Sequence, residues 1–555
     1  MPNVRILTIV LAVAVSPTVV HGEAGEVRAV TILHTSDLHG HVLPVDDLRA
    51  TAYPGSLAQV ATMVRGIRTS STHPVLVLDS GDALQGTPLE EFMHVRWGMP
   101  SPTIDAMNRI GYSAMAVGNH EFNFGLANLR RAETQASFPF LSANIIDEST
   151  GEPAFPPYDV IEVGDLRIGV LGLTTPNIPG WEQPENYRGL RFEPMDEAAR
   201  RWVPILRGKI ACDVVVVLAH TGFERDPDSG EVRPTTAEDY AWRLTQVPGI
   251  DLLLTGHTHR DLPPFELNGV IVSQPRSAAR LLTRIDLQLV KDSAGSWTID
   301  SWTGRNLVTA DATPDAAIEA DLGPAHERLL KTLDGPLTHV TNEVTVAGCR
   351  LHDCAALDLI HEVQLSASGA DVSLASLLSD QTPDLEPGPV QWRWIYGLYV
   401  YPNTLVAVRL TGAQIKDVLE HAARFYDGMS CTPDGRCVVH PDPAIPLYNV
   451  DSLEGLSYRI DPTRPEGDRV RDLRRHGHPL EPDRVLTVVC NNYRGAGGGE
   501  FPHLGDAEIV WRSSRPVTDL LGDWLAGHDP WQPEVDANWL VAPDLAETPD
   551  STPSP

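Results

Sequence analysis

Five short polar motifs, each set directly behind an apolar β-prone run, constrain this chain more than any other feature. The runs are Ala29-Val30-Thr31-Ile32-Leu33, Val75-Leu76-Val77-Leu78, Ala116-Val117, Val214-Val215-Val216-Val217-Leu218 and Ile250-Asp251-Leu252-Leu253-Leu254. Behind them come Asp37-Leu38-His39, Gly81-Asp82, Gly118-Asn119-His120-Glu121, His220 and Gly256-His257-Thr258-His259. Short continuous apolar runs read as strands buried on both faces, and they alternate with amphipathic stretches from Val27 to about Gly304. An α/β layered domain follows. Loops at the carboxyl ends of such strands converge on one crevice. A single Asp-x-His or a lone histidine after a strand is ordinarily a solvated loop or a satisfied buried ring. Five in order, all behind strands, carry a different reading. Carboxylate, amide and imidazole without thiolate suit Mn, Zn, Fe or Mg rather than a structural cysteine zinc site.

Charge narrows the substrate. The 555 residues hold 43 basic and 74 acidic side chains, a formal charge of −31. That excludes general binding to polymeric nucleic acid or to an anionic membrane surface, both of which need a positive footprint. An anionic small molecule would have to be drawn in by a local cationic centre such as a metal.

The first residues read as a secretory leader over 1–24. One arginine, Arg5, precedes the apolar run Ile6–Val15, which is too short to span a bilayer, and small residues follow around Gly22 and Ala24. No later stretch is long and apolar enough for a membrane span, so an exported protein, periplasmic or extracellular, is expected. Cysteine usage agrees. Cys349/Cys354 and Cys431/Cys437 lie in turn-rich sequence and read as short-loop disulfides, while Cys212 and Cys490 beside apolar runs read as buried thiols.

Five segments are expected: the leader 1–24, a catalytic domain 27–312, a helical linker 313–334 interrupted by Pro324, a mixed α/β domain 335–542 and a disordered tail 543–555. The second domain should contain the amphipathic helix Gly412 to Tyr426.

The five motifs together resemble the calcineurin-like metallophosphoesterase family over most of residues 28–305. The resemblance implies a four-layer sandwich and two divalent metal ions. Asp37, His39 and His259 would bind one, Asn119, His220 and His257 the other, with Asp82 bridging. His120 would stand beside the scissile phosphate without ligating. The second domain resembles the C-terminal α/β nucleotide-binding domain of the secreted 5′-nucleotidase family, through Gly397–Leu405, Leu410–Glu420 and Asn491-Asn492-Tyr493-Arg494-Gly495-Ala496-Gly497-Gly498-Gly499-Glu500. That implies a small nucleotide partner, its base sandwiched by Tyr401 and Tyr493, with Asn492, Gly497 and Gly498 also at the substrate.

Two departures point within the family. Its motif usually continues to an Asp that pairs with the catalytic histidine, where this chain has Asn123; its ribose-binding Asp is replaced by Gly499. Both resemble the periplasmic 2′,3′-cyclic-nucleotide 2′-phosphodiesterase/3′-nucleotidase branch, as does Tyr448–Asp461. With Gly499 in place, freed space would let the sugar turn its 2′,3′ edge to the ions. The alternatives are a broad 5′-nucleotidase or nucleotide-sugar diphosphatase, a sulfur-oxidising hydrolase, and a non-catalytic surface-binding protein on the same scaffold.

Overall fold

The computed structural model describes residues 26–543 apart from 233–237, 294, 380–381 and 432–436. The expected leader, nearly all of the expected tail, and the side chains of Cys431 and Cys437 lie outside the described residues.

Two six-stranded sheets build the N-terminal half. The first runs in the order Trp297–Val308, Leu281–Lys291, Val27–Thr35, Val75–Asp79, Ala114–Ala116, Phe140–Leu141. Its last four strands pair in parallel, while the two long ones at the other edge pair antiparallel. The second runs Asp261–Leu267, Val270–Pro275, Leu252–Thr255, Val214–His220, Leu166–Thr174, Tyr158–Val163.

Strand periodicity sorts the side chains into layers. Val30, Ile32, Leu78 and Ala116 of the first sheet pack with Val170, Val216 and Leu254 of the second. The alternate residues Leu33, Val77 and Met115 face the helices Leu57–Ser70 and Pro102–Ile110, while Val215, Val217 and Leu253 face Met195–Pro204. The result is the helix–sheet–sheet–helix sandwich expected. At one end of it lie the carboxyl termini of the parallel strands.

The helix Ala316–Leu333 follows, capped by Asp315, whose side chain accepts from the N–H groups of Ala317 and Ile318. Pro324 does not interrupt it, contrary to the sequence reading. Ile318 and Leu322 before the proline, and Leu329 and Leu333 after it, are buried on one stripe, so packing holds both halves despite one lost backbone bond.

The C-terminal half centres on a five-stranded sheet, Asp451–Glu454, Val372–Ser376, Val485–Asn491, Leu405–Thr411, Ile509–Arg512. The amphipathic helix spans Gly412–Ala422, started by a capping box between Thr411 and Gln414. Cys349 and Cys354 are bonded, and Cys212 and Cys490 are buried free thiols. Cys431 and Cys437 are backbone partners in a hairpin.

The two halves share apolar and polar contacts. Tyr396 packs into the N-terminal core with its ring 5.7 Å from that of Phe92, and Arg96 reaches Asp519 at 2.8 Å. Among the described residues no helix is long and apolar enough to cross a membrane.

Candidate metal centre

All seven ligand candidates converge at the carboxyl ends of the strands. Asp37, His39, Asp82, His257 and His259 have left-handed backbones, with φ of 52°, 49°, 62°, 71° and 54°. Each such residue costs about 1–3 kcal/mol and persists only where its surroundings over-determine it. Glu121 supplies part of that determination. Its buried carboxylate accepts N–H bonds from Asp82 (2.9 Å), Ala83 (2.7 Å), Leu84 (3.2 Å) and Gly118 (2.6 Å), clamping two motif loops together. Gly118 has to be glycine, because a Cβ there would run into the Asp82 carboxylate.

The side chains form two donor groups. Asp37, His39 and His259 offer ligand atoms within 4.8 Å of one another, and so do Asp82, His220 and His257. Asn119 joins the second, its Oδ1 lying 3.0 Å from His220 Nε2. The rings of His220 and His257 are 5.2 Å apart, centroid to centroid.

Hydrogen-bond polarity tests whether cations fit. His39 Nδ1 donates to the Gln85 carbonyl at 2.7 Å, so its Nε2 lone pair faces His259 Nε2 at 3.0 Å. His220 Nδ1 donates to the Ser80 carbonyl at 2.8 Å, which turns its Nε2 lone pair towards Asp82 Oδ2 at 2.9 Å and Asn119 Oδ1. Asp82 Oδ2 is buried without a hydrogen-bond partner. Lone pairs aimed at lone pairs in a buried site want positive charge between them. Without an ion, burial opposes charge on His220, yet Asp82, Asp37 and Glu121 carry its pKa up to about 10. The donor set fits divalent cations.

His120 stands beside this centre. Its ring centroid is 5.1 Å from that of His39, and its Nε2 lies 3.9 Å from Asp82 Oδ2. Its Nδ1 meets Asn123 Oδ1 at 2.5 Å. Asn123 in turn donates to Glu182, which sequence reasoning missed.

A cavity of about 520 Å³ opens between the halves, lined by Trp181, Tyr448, Asn449, Tyr493, Gly497 and Gly498 among others. Trp181 joins it to the metal groups, with its ring 5.4 Å from that of His257. Tyr493 lines this cavity, and Gly498 lies so close that a Cβ would sit 2.6 Å from the Tyr493 ring. Tyr401 lines a separate groove with His41 and Tyr53. Tyr401 and Tyr493 make no ring contact among the described residues. Burial raises both phenols, and the Tyr448 phenol near each adds to the shift.

Two expectations need correcting. Asn492 lines a groove other than the cavity of Tyr493 and ties two loops together: its Oδ1 accepts from the Thr404 N–H and its Nδ2 donates to the Trp181 carbonyl, each at 2.9 Å. The place beside Gly499 is not free either. A Cβ on Gly499 would sit 2.5 Å from Asn449 Oδ1 and from an Arg494 nitrogen, so those side chains fill the room the missing Asp leaves. The only signal for Asn449 was its place in the Tyr448–Asp461 segment.

Comparison with known proteins agrees with this geometry. Residues 30–261 match the calcineurin-like phosphoesterase family and residues 332–506 the 5′-nucleotidase C-terminal domain. A Salmonella typhimurium 2′,3′-cyclic-nucleotide 2′-phosphodiesterase/3′-nucleotidase is 29% identical over 95% of this chain and 91% of its own. A Yersinia enterocolitica protein of the same name is 29% identical over 92% and 88%. The solved structure of a candidate 5′-nucleotidase from Staphylococcus aureus superposes with a TM-score of 0.81 at 27% identity, covering 92% of this chain and 99% of that one. The chain is thus a hydrolase that joins a calcineurin-like phosphoesterase domain to a 5′-nucleotidase C-terminal domain.

Proposed function

We propose that this protein is an exported two-metal phosphoesterase that opens 2′,3′-cyclic nucleotides to 3′-nucleotides and then releases the 3′-phosphate, with domains over 27–312 and 335–542. The observation that carries the reading is the shared wall between the two donor groups and the cavity, made by Trp181. A nucleotide in the cavity would border His257 across Trp181.

Asp37, His39 and His259 would hold one divalent ion and Asn119, His220 and His257 the other, with Asp82 between them. Bound there, the pair neutralises phosphoryl charge and makes water a stronger acid. The chain's own groups supply the rest. The Tyr493 ring offers a stacking face for the base, worth about 1–3 kcal/mol per base with little selectivity. Tyr401 would have to leave its separate groove to cover the other face. The Asn123 contact holds His120 Nδ1, so Nε2 is the atom left to give a proton to the departing sugar oxygen. Gly497 and Gly498 let main chain approach the ligand closely.

The 2′,3′ assignment rests on Asn123, on Gly499 and on the names of the relatives. One observation favours a second reading, hydrolysis of 5′-nucleotides. Asn449 brings an amide to the place vacated at Gly499, where it could hold a ribose as an Asp would. Parallel kinetics with 2′,3′-cyclic AMP, 3′-AMP and 5′-AMP separates the two. Higher kcat/KM on the first two is expected; a clear preference for 5′-AMP would replace the first reading by the second.

A further inference from the structure

Glu182 lies in the loop after the turn Ile178–Gly180 and is 8% exposed. Among the described residues no arginine or lysine pairs with it; two asparagine amides bind it instead. Asn123 Nδ2 donates to its Oε1, and Asn186 Nδ2 donates to its Oε2 at 2.7 Å.

This arrangement has a fixed polarity. A carboxylate only accepts hydrogen bonds, so the NH2 end of Asn123 must point to Glu182. Its Oδ1 must then face His120, and His120 Nδ1 must donate to it across the 2.5 Å contact. The Nδ1–H of the imidazolium is thereby committed to Asn123, and its second proton, on Nε2, faces the centre. An asparagine without the carboxylate behind it could present either end, and the histidine could then take either tautomer. The loop is pinned on both sides of Glu182. The Trp181 carbonyl accepts from Asn492 at 2.9 Å, while Gln183 donates to Thr404 and to the Ser513 carbonyl.

We propose that Glu182 is the positioning residue for His120, acting through Asn123 to hold the Nδ1–H and the ring orientation from which the imidazolium passes its Nε2 proton to the leaving oxygen. The amide of Asn123 conveys to the imidazole the direction set by a carboxylate one residue further out. This inference rests on the reading of His120 as the leaving-group acid.

The test compares leaving groups. Nucleoside alkoxides need a proton from an acid, and p-nitrophenolate hardly does, so loss of positioning should show only on the former. Glu182→Gln must present an NH2 to one of the two asparagines; Asn186 Nδ2 is held as a donor by the Asn123 carbonyl at 3.5 Å as well, so the NH2 turns to Asn123 and makes its amide flip. We expect kcat on 3′-AMP to fall by about tenfold or more, a part of the roughly 10²–10⁴-fold that a general acid contributes. The rate on p-nitrophenyl phosphate esters, KM and bound metal should stay near native.

Asn123→Asp alone should also be impaired, because it sets two carboxylates against each other. The combination of Asn123→Asp with Glu182→Gln restores an acceptor for His120 Nδ1 and should recover most of the 3′-AMP rate. A loop that serves only structure would show no such mutual rescue. Equal losses on both substrate types, loss of metal, or native activity in Glu182→Gln would each overturn the proposal. His120→Ala belongs in the same series. If it loses 3′-AMP turnover while Glu182→Gln does not, the positioning role alone fails; if it keeps that turnover, the reading of His120 itself fails.

Discussion

Replacing Glu121 by glutamine probes how the left-handed ligand loops are held. Each carboxylate oxygen of Glu121 takes two backbone N–H groups, Oε1 those of Ala83 and Leu84 and Oε2 those of Asp82 and Gly118. An amide keeps one accepting oxygen and turns an NH2 towards the other pair. Two buried N–H groups then lose their acceptor at about 1–3 kcal/mol each, or roughly 2–6 kcal/mol in all. That strain falls on the backbone of Asp82, a member of the second donor group. Groups that orient metal ligands without touching the ion commonly change affinity by about 10–100-fold, which is about 1.4–2.8 kcal/mol and within what the lost bonds can supply. Glu121→Gln should therefore weaken metal binding by that factor in a chelator competition, lower the melting temperature, and keep near-native kcat once metal is saturating. Native metal affinity together with a native melting temperature would refute the argument that this carboxylate holds the loops.

Tyr493→Ala should raise KM for nucleotides by about 5–150-fold, the equivalent of one lost stacking face, and leave p-nitrophenyl phosphate unchanged. The same assay on Tyr401→Ala and Tyr448→Ala identifies the second ring of the clamp, and an unchanged nucleotide KM in Tyr493→Ala would remove that ring from it. Glu90 gives a pH signature. Burial raises its carboxyl from 4.5 to about 7, only partly offset by hydrogen bonds from Thr103 and Ser101. Between those pH values the unfolded chain releases the proton and the fold retains it, so stability falls as pH rises through this window, by about 3 kcal/mol. Glu90→Gln should remove that slope in denaturant unfolding at pH 5 and pH 8; identical slopes in the two proteins would contradict the assignment.

What was legible in the sequence follows from distance along the chain. The ligand candidates were readable because each sits immediately behind a strand whose apolar run announces it, as His220 does at the end of Val214–His220. Glu121 was visible as a member of its motif, but its task depends on a loop 37 to 39 positions away in sequence. Glu182 gave no signal: it lies 59 residues from Asn123, in a loop of prolines and asparagines without periodicity. Asn492 was assigned to substrate from its neighbours in the glycine-rich motif, yet tertiary contact with Trp181 and Thr404 claims both ends of its amide. Pro324 was read as a break because local chemistry disfavours it in a helix, and burial of one continuous stripe overrides that preference.

The central claim is that this donor set holds a pair of divalent ions. Anomalous diffraction from crystals of the metal-loaded protein, combined with metal counting on the same sample, measures it directly. Two ions per chain are expected, one among Asp37, His39 and His259 and one among Asn119, His220 and His257, with Asp82 between them and the second ion lost in Asp82→Asn. A single ion at full loading, or a pair bound elsewhere, would contradict it.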